Sequence, residues 1–241
     1  MKIAVSGKVL RRNVGGNTSY TQTLYTSLAG FGIEYEALVP MGDGLGGAAR
    51  QLAYAVADGL LWPARPGRAD LLHFPADTGA LIGSRVPIAA TVHGVEDAPV
   101  PGLARALWKR TWLARVGRLT RVADAVITVS HHSAGEISRV FGLPAARLHV
   151  IPHGLDAGRF HPLGDGDGAL LAPLGLPDRF VLYLGNLDPR KNVTALTEAT
   201  ARLRVPLVVA GGGFIGSGQV ERVLAEAPHA RYLGQVPHEL V

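Results

Sequence analysis

The sequence predicts an α/β fold with mainly parallel sheets, and three observations support this prediction. Short apolar runs rich in β-branched residues alternate with longer segments of helical periodicity, which is typical of strand–helix–strand units. Most of these runs are continuously apolar, as expected where helices cover both faces of a sheet. The 241 residues include 31 glycines and 16 prolines, which suits a fold with many turns, and 47% are hydrophobic, which is enough for a sizeable core.

The first region of the chain carries six predicted strands with helices between them. We expect the strands at Lys2–Ser6 and at residues 33–39, 70–74, 88–92, 125–129 and 148–151. Helices are expected at residues 17–29, 48–61, 103–122 and 131–141, and a basic loop at residues 8–12. Together these elements predict one complete domain over residues 1–162.

A stretch rich in Gly, Asp and Pro then interrupts the pattern and predicts a surface linker over residues 163–177. A second α/β series follows over residues 178–241. Its predicted strands are residues 180–184, 207–210 and 231–233, and its predicted helices are residues 192–203 and 219–227, with another helix starting at residue 238. This region is short for a doubly wound domain, so we expect an incomplete second domain.

Composition excludes several classes of protein. The sequence has no cysteine, which excludes a disulfide framework and any thiolate catalyst or metal site. Its apolar runs are shorter than a membrane span and its start lacks a signal peptide, so the expected location is the cytoplasm. The net charge of +5 favours phosphorylated substrates, nucleic acid or an anionic membrane as partners. Of the 24 basic residues 20 are arginine, so a codon bias is an alternative explanation.

A glycine pair marks the first candidate site. Gly15-Gly16-Asn17-Thr18 follows the basic loop and begins a predicted helix. Glycines at a strand-to-helix turn allow close backbone approach, and the amides of the first helical turn can bind phosphate. An ordinary turn capped by Asn17 or Thr18 is the alternative.

His93 is the second candidate. Thr91-Val92-His93-Gly94 ends a predicted central strand, and in open α/β sheets ligands bind outside the carboxyl ends of strands. His93 is therefore expected either to contact a ligand or to serve as a structural histidine.

The predicted helix at residues 103–122 is strongly basic. It carries Trp108 and Trp112 four positions apart, on one helix face, together with six lysines and arginines. Such a helix can lie on an anionic membrane surface, or it can pack its tryptophans against the sheet and leave a basic face in solvent. Nucleic acid is disfavoured as a partner because no recognition module accompanies the charge.

The turn Leu184-Gly-Asn-Leu-Asp-Pro-Arg-Lys-Asn192 opens the second region. Arg190 and Lys191 precede a predicted helix, whose dipole disfavours cations at its N-terminus. A diphosphate bound there would compensate for this unfavourable placement.

A further glycine run formally matches a dinucleotide-binding pattern. Gly211-Gly-Gly-Phe-Ile-Gly216 follows a predicted strand, but no acidic residue stands about 20 positions on, where a ribose contact is needed. Nicotinamide binding is therefore disfavoured.

Several motifs, in this order, resemble those of glycosyltransferase family 4. Phe141-Gly-Leu-Pro144 and Val150-Ile-Pro-His-Gly-Leu-Asp156 are similar to its inter-domain signature, together with Ile127-Thr-Val-Ser130 and Phe160-His-Pro162. The segments 180–192 and 207–211 resemble the opening of its nucleotide-sugar domain. The Gly15-Gly16 loop and Thr91-Val-His-Gly94 resemble its glycine loop and its His-bearing strand end.

The resemblance implies a GT-B architecture of two Rossmann-like domains, with retention of anomeric configuration and without a metal or other cofactor. The donor substrate would be a nucleotide diphosphate sugar. The resemblance implies that His93 contacts the reacting sugar as the catalytic candidate. It implies donor contacts from Gly15, Gly16, Asn186, Arg190 and Lys191. Many relatives have Arg at the position of Asn186.

The function expected from this resemblance is transfer of a hexose to a glycan, a lipid-linked molecule or a small-molecule acceptor, as in polysaccharide biosynthesis. Leu-Asp-Pro-Arg-Lys-Asn192 suggests mannosyl or rhamnosyl transfer. The family's later E-x7-E segment is absent, so we expect a fragment of a longer enzyme or a truncated product that is inactive alone. The alternatives are a non-catalytic remnant that binds an acceptor or a membrane, and a GT-B epimerase or phosphorylase. Peripheral attachment to the inner face of the membrane through residues 103–122 is a further expectation.

Overall fold

The structure is a computed structural model that describes residues 1–12, 15–41, 44, 46–95, 103–155, 160, 162, 164, 167–213 and 217–237. The chain divides into two compact units, Met1–Gly154 and Leu155–Val241. This division falls ahead of the predicted domain boundary at residue 162. The helix start predicted at residue 238 lies outside the described residues.

The first unit is built on a parallel sheet. Its strands among the described residues are Lys2–Ser6 (β1), Glu34–Leu38 (β2), Leu71–Phe74 (β3), Ile88–Thr91 (β4), Ala125–Thr128 (β5) and Leu148–Val150 (β6). Every neighbouring pair is parallel, in the order β2-β1-β3-β4-β5-β6. The six predicted strands are therefore confirmed. The strand order reverses between β1 and β3, and a crevice is expected outside the carboxyl ends of strands at such a point.

Helices connect these strands. They are Gly7–Arg12 (α1), Gly16–Ala29 (α2), Gly47–Val56 (α3), Trp62–Ala64 (α4), Leu103–Val122 (α5) and His131–Phe141 (α6). A π-helix at Ala57–Leu61 joins α3 to α4, so the helix predicted at residues 48–61 is divided.

The prediction of a basic loop at residues 8–12 was wrong, because these residues belong to α1. Val9 is buried, and Leu10 packs against a cluster that includes Val5 and Tyr25. Val9 and Leu10 therefore hold α1 against the unit, although the basic residues of this segment suggested a solvent-exposed loop.

The core of the first unit lies on both faces of the central strands. Leu72, Phe74 and Ile88 of β3 and β4 are almost completely buried, and they belong to one cluster with Leu119 of α5 and Ile137 of α6. Burial on both faces explains the continuously apolar strands, and it places the polar residues that follow β3 and β4 at the edge of a rigid layer.

The second unit contains a smaller parallel sheet. The described residues form strands Val181–Leu184 (β7), Leu207–Ala210 (β8) and Ala230–Gly234 (β9), in the order β7-β8-β9, and helices Asp167–Leu171 (α7), Val193–Leu203 (α8) and Gly218–Ala225 (α9). Leu207 and Val209 of β8 are buried with Val193 of α8 and Leu224 of α9. The strands and helices predicted between residues 180 and 233 are confirmed.

The predicted linker at residues 163–177 contains α7 and a 3-10 turn at Ala172–Leu174, which the sequence did not predict. Pro173 stands at the start of this turn, where its missing N–H removes no helical hydrogen bond. Gly175 ends the turn at φ 53°. Proline and glycine therefore frame a short helical segment here.

Candidate functional site

His93 lies just beyond the carboxyl end of β4 and is held by three hydrogen bonds. Its backbone N–H donates to Asp77 Oδ1 at 2.9 Å, and its carbonyl accepts from Ser133 Oγ at 3.0 Å. Its ring Nε2 lies 3.0 Å from the carbonyl oxygen of Pro75, which can only accept, so Nε2 carries a proton. In the neutral ring, Nδ1 is then a hydrogen-bond acceptor.

The start of α6 supports this arrangement. Ser130 is the N-cap residue, and its Oγ accepts a hydrogen bond from the backbone N–H of Ser133 at 3.1 Å. Ser130 Oγ also donates to Ser133 Oγ at 3.0 Å, which leaves the proton of Ser133 directed to the carbonyl of His93. The cap of one helix therefore orients the backbone of the candidate residue.

The ring of His93 forms a cluster with two other aromatic rings. The ring of Tyr20 meets His93 edge to face, with 4.9 Å between centroids, and stacks on His153 at 4.9 Å with an interplanar angle of 24°. The rings of His93 and His153 are 5.6 Å apart. Desolvation lowers the pKa of His153, and so does the repulsion that would arise if His93 were protonated as well, so the cluster favours a neutral His153.

A chain of hydrogen bonds continues from Tyr20 into the core. Tyr20 Oη lies 3.3 Å from Thr91 Oγ1, which lies 2.9 Å from His73 Nε2. His73 Nδ1 is 2.6 Å from the hydroxyl of Tyr25. Burial lowers the pKa of His73 to about 4, so this ring is neutral at physiological pH. The four side chains link the surface cluster to the centre of the unit.

Gly15 and Gly16 lie at the N-terminus of α2, the helix that carries Tyr20. Gly15 has φ 88° and serves as N-cap residue without a side-chain cap, and the first turn holds no acidic residue. A Cβ atom at either glycine would meet no described atom within 4 Å. Both glycines are exposed, and the turn has the open, positively polarised backbone that suits an anion.

Asp58 is a buried carboxylic acid in the π-helix. Its side chain is 3% exposed, and among the described residues its Oδ1 has no hydrogen-bond partner. Burial raises the pKa of Asp58 to about 6, against the opposing effects of a hydrogen bond with Ser6 and the charges of Lys8 and Arg115. Single π-turns occur frequently at functional sites, and this one brings an acid close to the end of β1.

The donor-binding residues predicted in the second unit lie on the turn between β7 and α8. Lys191 is exposed and ends a 3-10 turn, and its N–H bonds to the carbonyl of Asp188 at 2.8 Å. Asn186 is exposed, and its carbonyl accepts from the hydroxyl of Tyr183 at 2.7 Å. The side chain of Arg190 lies outside the described residues. Asn192, at φ 51°, precedes the first residue of α8.

Gly211, the first glycine of the run after β8, makes a close contact between strands. At φ 143° it approaches the carbonyl of Gly185, and an added Cβ would overlap that oxygen. The chain therefore needs glycine here for backbone packing at the end of β7 and β8. Backbone packing therefore accounts for Gly211 without a bound dinucleotide.

The basic helix α5 differs between its two halves. Val116 and Leu119 are fully buried, and Arg118 Nε donates to the carbonyl of Leu81 at 2.6 Å. Trp108 is 68% exposed and stacks on Trp112, with 6.4 Å between ring centroids. The alternative in which both tryptophans pack against the sheet is therefore wrong for Trp108.

Residues outside the predicted set complete the site. The sequence prediction named His93 and the glycines but assigned no role to Tyr20, His73 or His153. One signal was available, because His73-Phe-Pro-Ala-Asp77 places polar residues at the end of a buried strand, as Thr91-Val-His-Gly94 does. The contact between Tyr20 and Thr91 joins residues 71 positions apart, which no local pattern predicts.

Two kinds of feature are absent from the described part of the chain. No group of three or more His, Asp or Glu side chains there is placed to hold a metal ion. None of the helices there combines the length and apolar character that a membrane span requires.

Sequence comparisons identify relatives of the chain. The sequence model of Glycosyltransferase Family 4 matches residues 14–159. The chain is 36% identical over 132 residues to a GDP-mannose-dependent alpha-(1-6)-phosphatidylinositol monomannoside mannosyltransferase of Mycolicibacterium smegmatis, covering 52% of this chain and 32% of the relative. It is 31% identical over 163 residues to a D-inositol 3-phosphate glycosyltransferase of Mycobacterium bovis, covering 64% and 34%. The chain thus spans about a third of the length of these curated relatives.

Solved structures share the fold. Anabaena Alr3699/HepE, in complex with UDP and glucose, superposes with a TM-score of 0.66 at 20% identity, covering 98% of this chain and 70% of that chain. AviGT4, a glycosyltransferase involved in avilamycin A biosynthesis, superposes with a TM-score of 0.59 at 17% identity, covering 99% and 65%. These likenesses confirm the predicted α/β fold of GT-B type. Because the family match covers more than half of the sequence, the chain belongs to glycosyltransferase family 4.

Proposed function

We propose that this chain supplies the machinery of a glycosyltransferase that moves a hexose from a nucleotide diphosphate sugar to a hydroxyl acceptor. Membership of the family supports the reaction class. Two similar proteins support a nucleotide diphosphate sugar as the donor. The mannosyltransferase of Mycolicibacterium smegmatis is GDP-mannose-dependent, and the structure of Anabaena Alr3699/HepE contains UDP and glucose. The acceptor is a glycan, a lipid-linked molecule or a small molecule.

His93 carries the proposal for the first unit. Its hydrogen bonds to Asp77, Pro75 and Ser133 hold the residue at the end of β4, and its Nδ1 is left to accept a hydrogen bond from a sugar hydroxyl. A residue held in this way loses little freedom when it binds, which favours accurate placement of the reacting sugar.

In the proposed reaction the bond between the anomeric carbon and the donor phosphate oxygen breaks. The acceptor oxygen forms its new bond on the same face of the sugar, and its proton passes to the leaving diphosphate. In the second unit, the cations Arg190 and Lys191 with Asn186 bind the diphosphate and stabilise its developing charge. In the first unit, the amides at Gly15 and Gly16 suit an anionic group of a substrate. The protein therefore contributes mainly orientation and electrostatic stabilisation.

The test uses His93→Ala, with the exposed His149→Ala as matched control. Release of GDP or UDP is measured from GDP-mannose and UDP-glucose, with D-inositol 3-phosphate and phosphatidylinositol monomannoside as acceptors. We expect His93→Ala to lower kcat/KM about 100-fold, because a group that orients the reacting sugar is lost. His149→Ala should retain wild-type kinetics.

Two results would contradict the proposal. Wild-type kinetics of His93→Ala would remove the role of His93. Absence of both donor binding and turnover in the unmodified chain would remove the transferase assignment for this chain and favour the non-catalytic alternative.

One observation favours a second function, attachment to an anionic membrane. Leu107 and Trp108 of α5 are 55% and 68% exposed beside the exposed Arg110, so apolar and cationic groups occur together on the surface. Trp108→Ala and Arg110→Ala should each reduce flotation with vesicles of phosphatidylcholine and phosphatidylglycerol. Arg121→Ala, in the last turn of the helix, should not. Flotation of wild type that is unaffected by salt, or absent, would contradict membrane attachment.

A further inference from the structure

Tyr20 connects the candidate sugar-contacting histidine to the interior of the first unit. Its ring packs edge to face with the ring of His93 and stacks on the ring of His153, while its hydroxyl reaches Thr91. Thr91 is completely buried, and Tyr20 itself is half-buried. The two ring contacts and the hydrogen bond to buried Thr91 therefore fix the position of the Tyr20 ring.

At its buried end, this series of hydrogen bonds fixes both the position and the protonation of His73. His73 is 4% exposed, and Tyr25 is 1% exposed. A neutral His73 has one N–H and one lone pair, so one of its neighbours must donate to it and the other must accept from it. The hydroxyls of Tyr25 and Thr91 fill these two roles. Any rotation of the Tyr20 hydroxyl away from Thr91 would disturb a hydrogen-bond chain that is mostly buried.

At the exposed end of this series, Tyr20 contacts His93, and the position of the ring proton on His93 matters for the site. Its Nε2–H donates to the carbonyl of Pro75, which keeps Nδ1 unprotonated in the neutral ring. The hydrogen bond from Nε2 to Pro75 persists only while the imidazole ring of His93 keeps its orientation. The edge-to-face contact with Tyr20, nearly perpendicular at 89°, restricts rotation of the His93 ring about its Cβ–Cγ bond.

We propose that Tyr20 is a positioning residue for His93. Its hydroxyl is held by Thr91, which is bonded in turn to His73, and His73 to Tyr25. Held in this way, Tyr20 keeps the ring of His93 with Nε2 on Pro75, so that Nδ1 is available to accept a hydrogen bond from a sugar hydroxyl. The last part of this inference rests on the proposed function, whereas the effect of Tyr20 on His93 does not.

The experiment measures the tautomer of His93 directly, in the full chain and without substrate. Long-range ¹H–¹⁵N spectra of histidine-labelled protein separate the Nε2–H from the Nδ1–H form, and His93→Asn assigns the signal. The variants are Tyr20→Phe, which removes the hydroxyl alone, and Tyr20→Leu, which removes the ring. The matched control is Tyr35→Phe, whose exposed side chain packs on Tyr25 with 4.6 Å between centroids.

In wild type we expect the Nε2–H form to dominate. Tyr20→Phe should raise the minor tautomer about threefold, the effect of one lost hydrogen bond, and Tyr20→Leu should raise it further. Tyr35→Phe should leave the populations unchanged. Unchanged populations in Tyr20→Phe would overturn the proposal, whether or not Tyr20→Leu folds.

A kinetic measurement separates this inference from the proposed function. If turnover is observed, Tyr20→Phe should lower kcat more than it changes KM, because it loosens a group that orients the reacting sugar. If the tautomer changes as expected but no nucleotide sugar is turned over, the positioning role stands and the proposed function fails.

Discussion

Asp77 Oδ1 accepts a hydrogen bond from the backbone N–H of His93, with 2.9 Å between the two atoms. Asp77 itself has φ 52°, and its own N–H donates to the carbonyl of Thr91 at 3.0 Å. Burial raises the pKa of the Asp77 carboxyl, and the N–H of His93 opposes this rise. The two hydrogen bonds join the loop after β3 to the end of β4, so the place of His93 depends on a residue sixteen positions earlier.

Replacing Asp77 should separate the role of its acceptor atom from that of its charge. Asp77→Ala removes the acceptor and puts Ala in a left-handed conformation, so we expect the free energy of unfolding to fall by about 1–3 kcal/mol. Asp77→Asn keeps an acceptor and tolerates this backbone, so it should change stability by less than about 1 kcal/mol. Urea unfolding at pH 7.5 measures both values, and equal losses would contradict a role for the hydrogen bond.

Asp58 should make stability depend on pH. Because burial raises its pKa in the folded state to about 6, above the unfolded value near 4, the folded chain holds this proton more tightly. Stability therefore falls as pH rises from about 4 through about 6. Asp58→Asn should raise the free energy of unfolding at pH 8 by up to about 3 kcal/mol, and this gain should vanish below pH 4.

The measurement is urea unfolding at pH 4, 6 and 8, with the exposed Asp178→Asn as control. A constant difference between wild type and Asp58→Asn across this range would show that the carboxyl of Asp58 does not titrate as its burial requires.

Lys191 should contribute to diphosphate binding by its charge. Lys191→Ala is expected to raise the Kd for GDP or UDP about tenfold, the effect of one charge-assisted hydrogen bond. Arg202→Ala, in the last turn of α8 of the same unit, is the control and should change Kd little. Isothermal titration calorimetry at two salt concentrations makes the measurement. Equal Kd values for Lys191→Ala and wild type would remove Lys191 from the donor site.

Gly211 should be intolerant of any side chain. The Cβ added by Gly211→Ala would overlap the carbonyl oxygen of Gly185. The substitution should therefore lower the free energy of unfolding of the second unit by about 3 kcal/mol or more. Gly218→Ala in α9 is the matched control, because its Cβ meets no described atom within 4 Å and alanine favours a helix. Thermal unfolding compares the two. Similar stability of both variants would contradict the close contact.

Local sequence patterns predicted most of the elements but not all. β8 is continuously apolar, β1 has an apolar centre of three residues between Lys2 and Ser6, and the observed bounds of both strands equal the predicted ones. α1 was missed because its basic residues suggested a loop, while Leu10 packs in a cluster that includes Tyr25 and Leu71, which are distant in sequence. The π-helix was missed because a hydrophobic period near 3.6 residues does not distinguish one wider turn.

By itself, the sequence determined the α/β class, the placement of His93 at the end of a strand, and the glycine loop, because alternating apolar periods and strand ends are local properties. Only the tertiary structure decided which side chains surround His93. Tyr20, His73 and His153 come from a helix, a strand and the residues after β6, and they meet because parallel strands bring their carboxyl ends to one edge of the sheet. Such contacts depend on strand order and helix packing, which no short segment of sequence specifies.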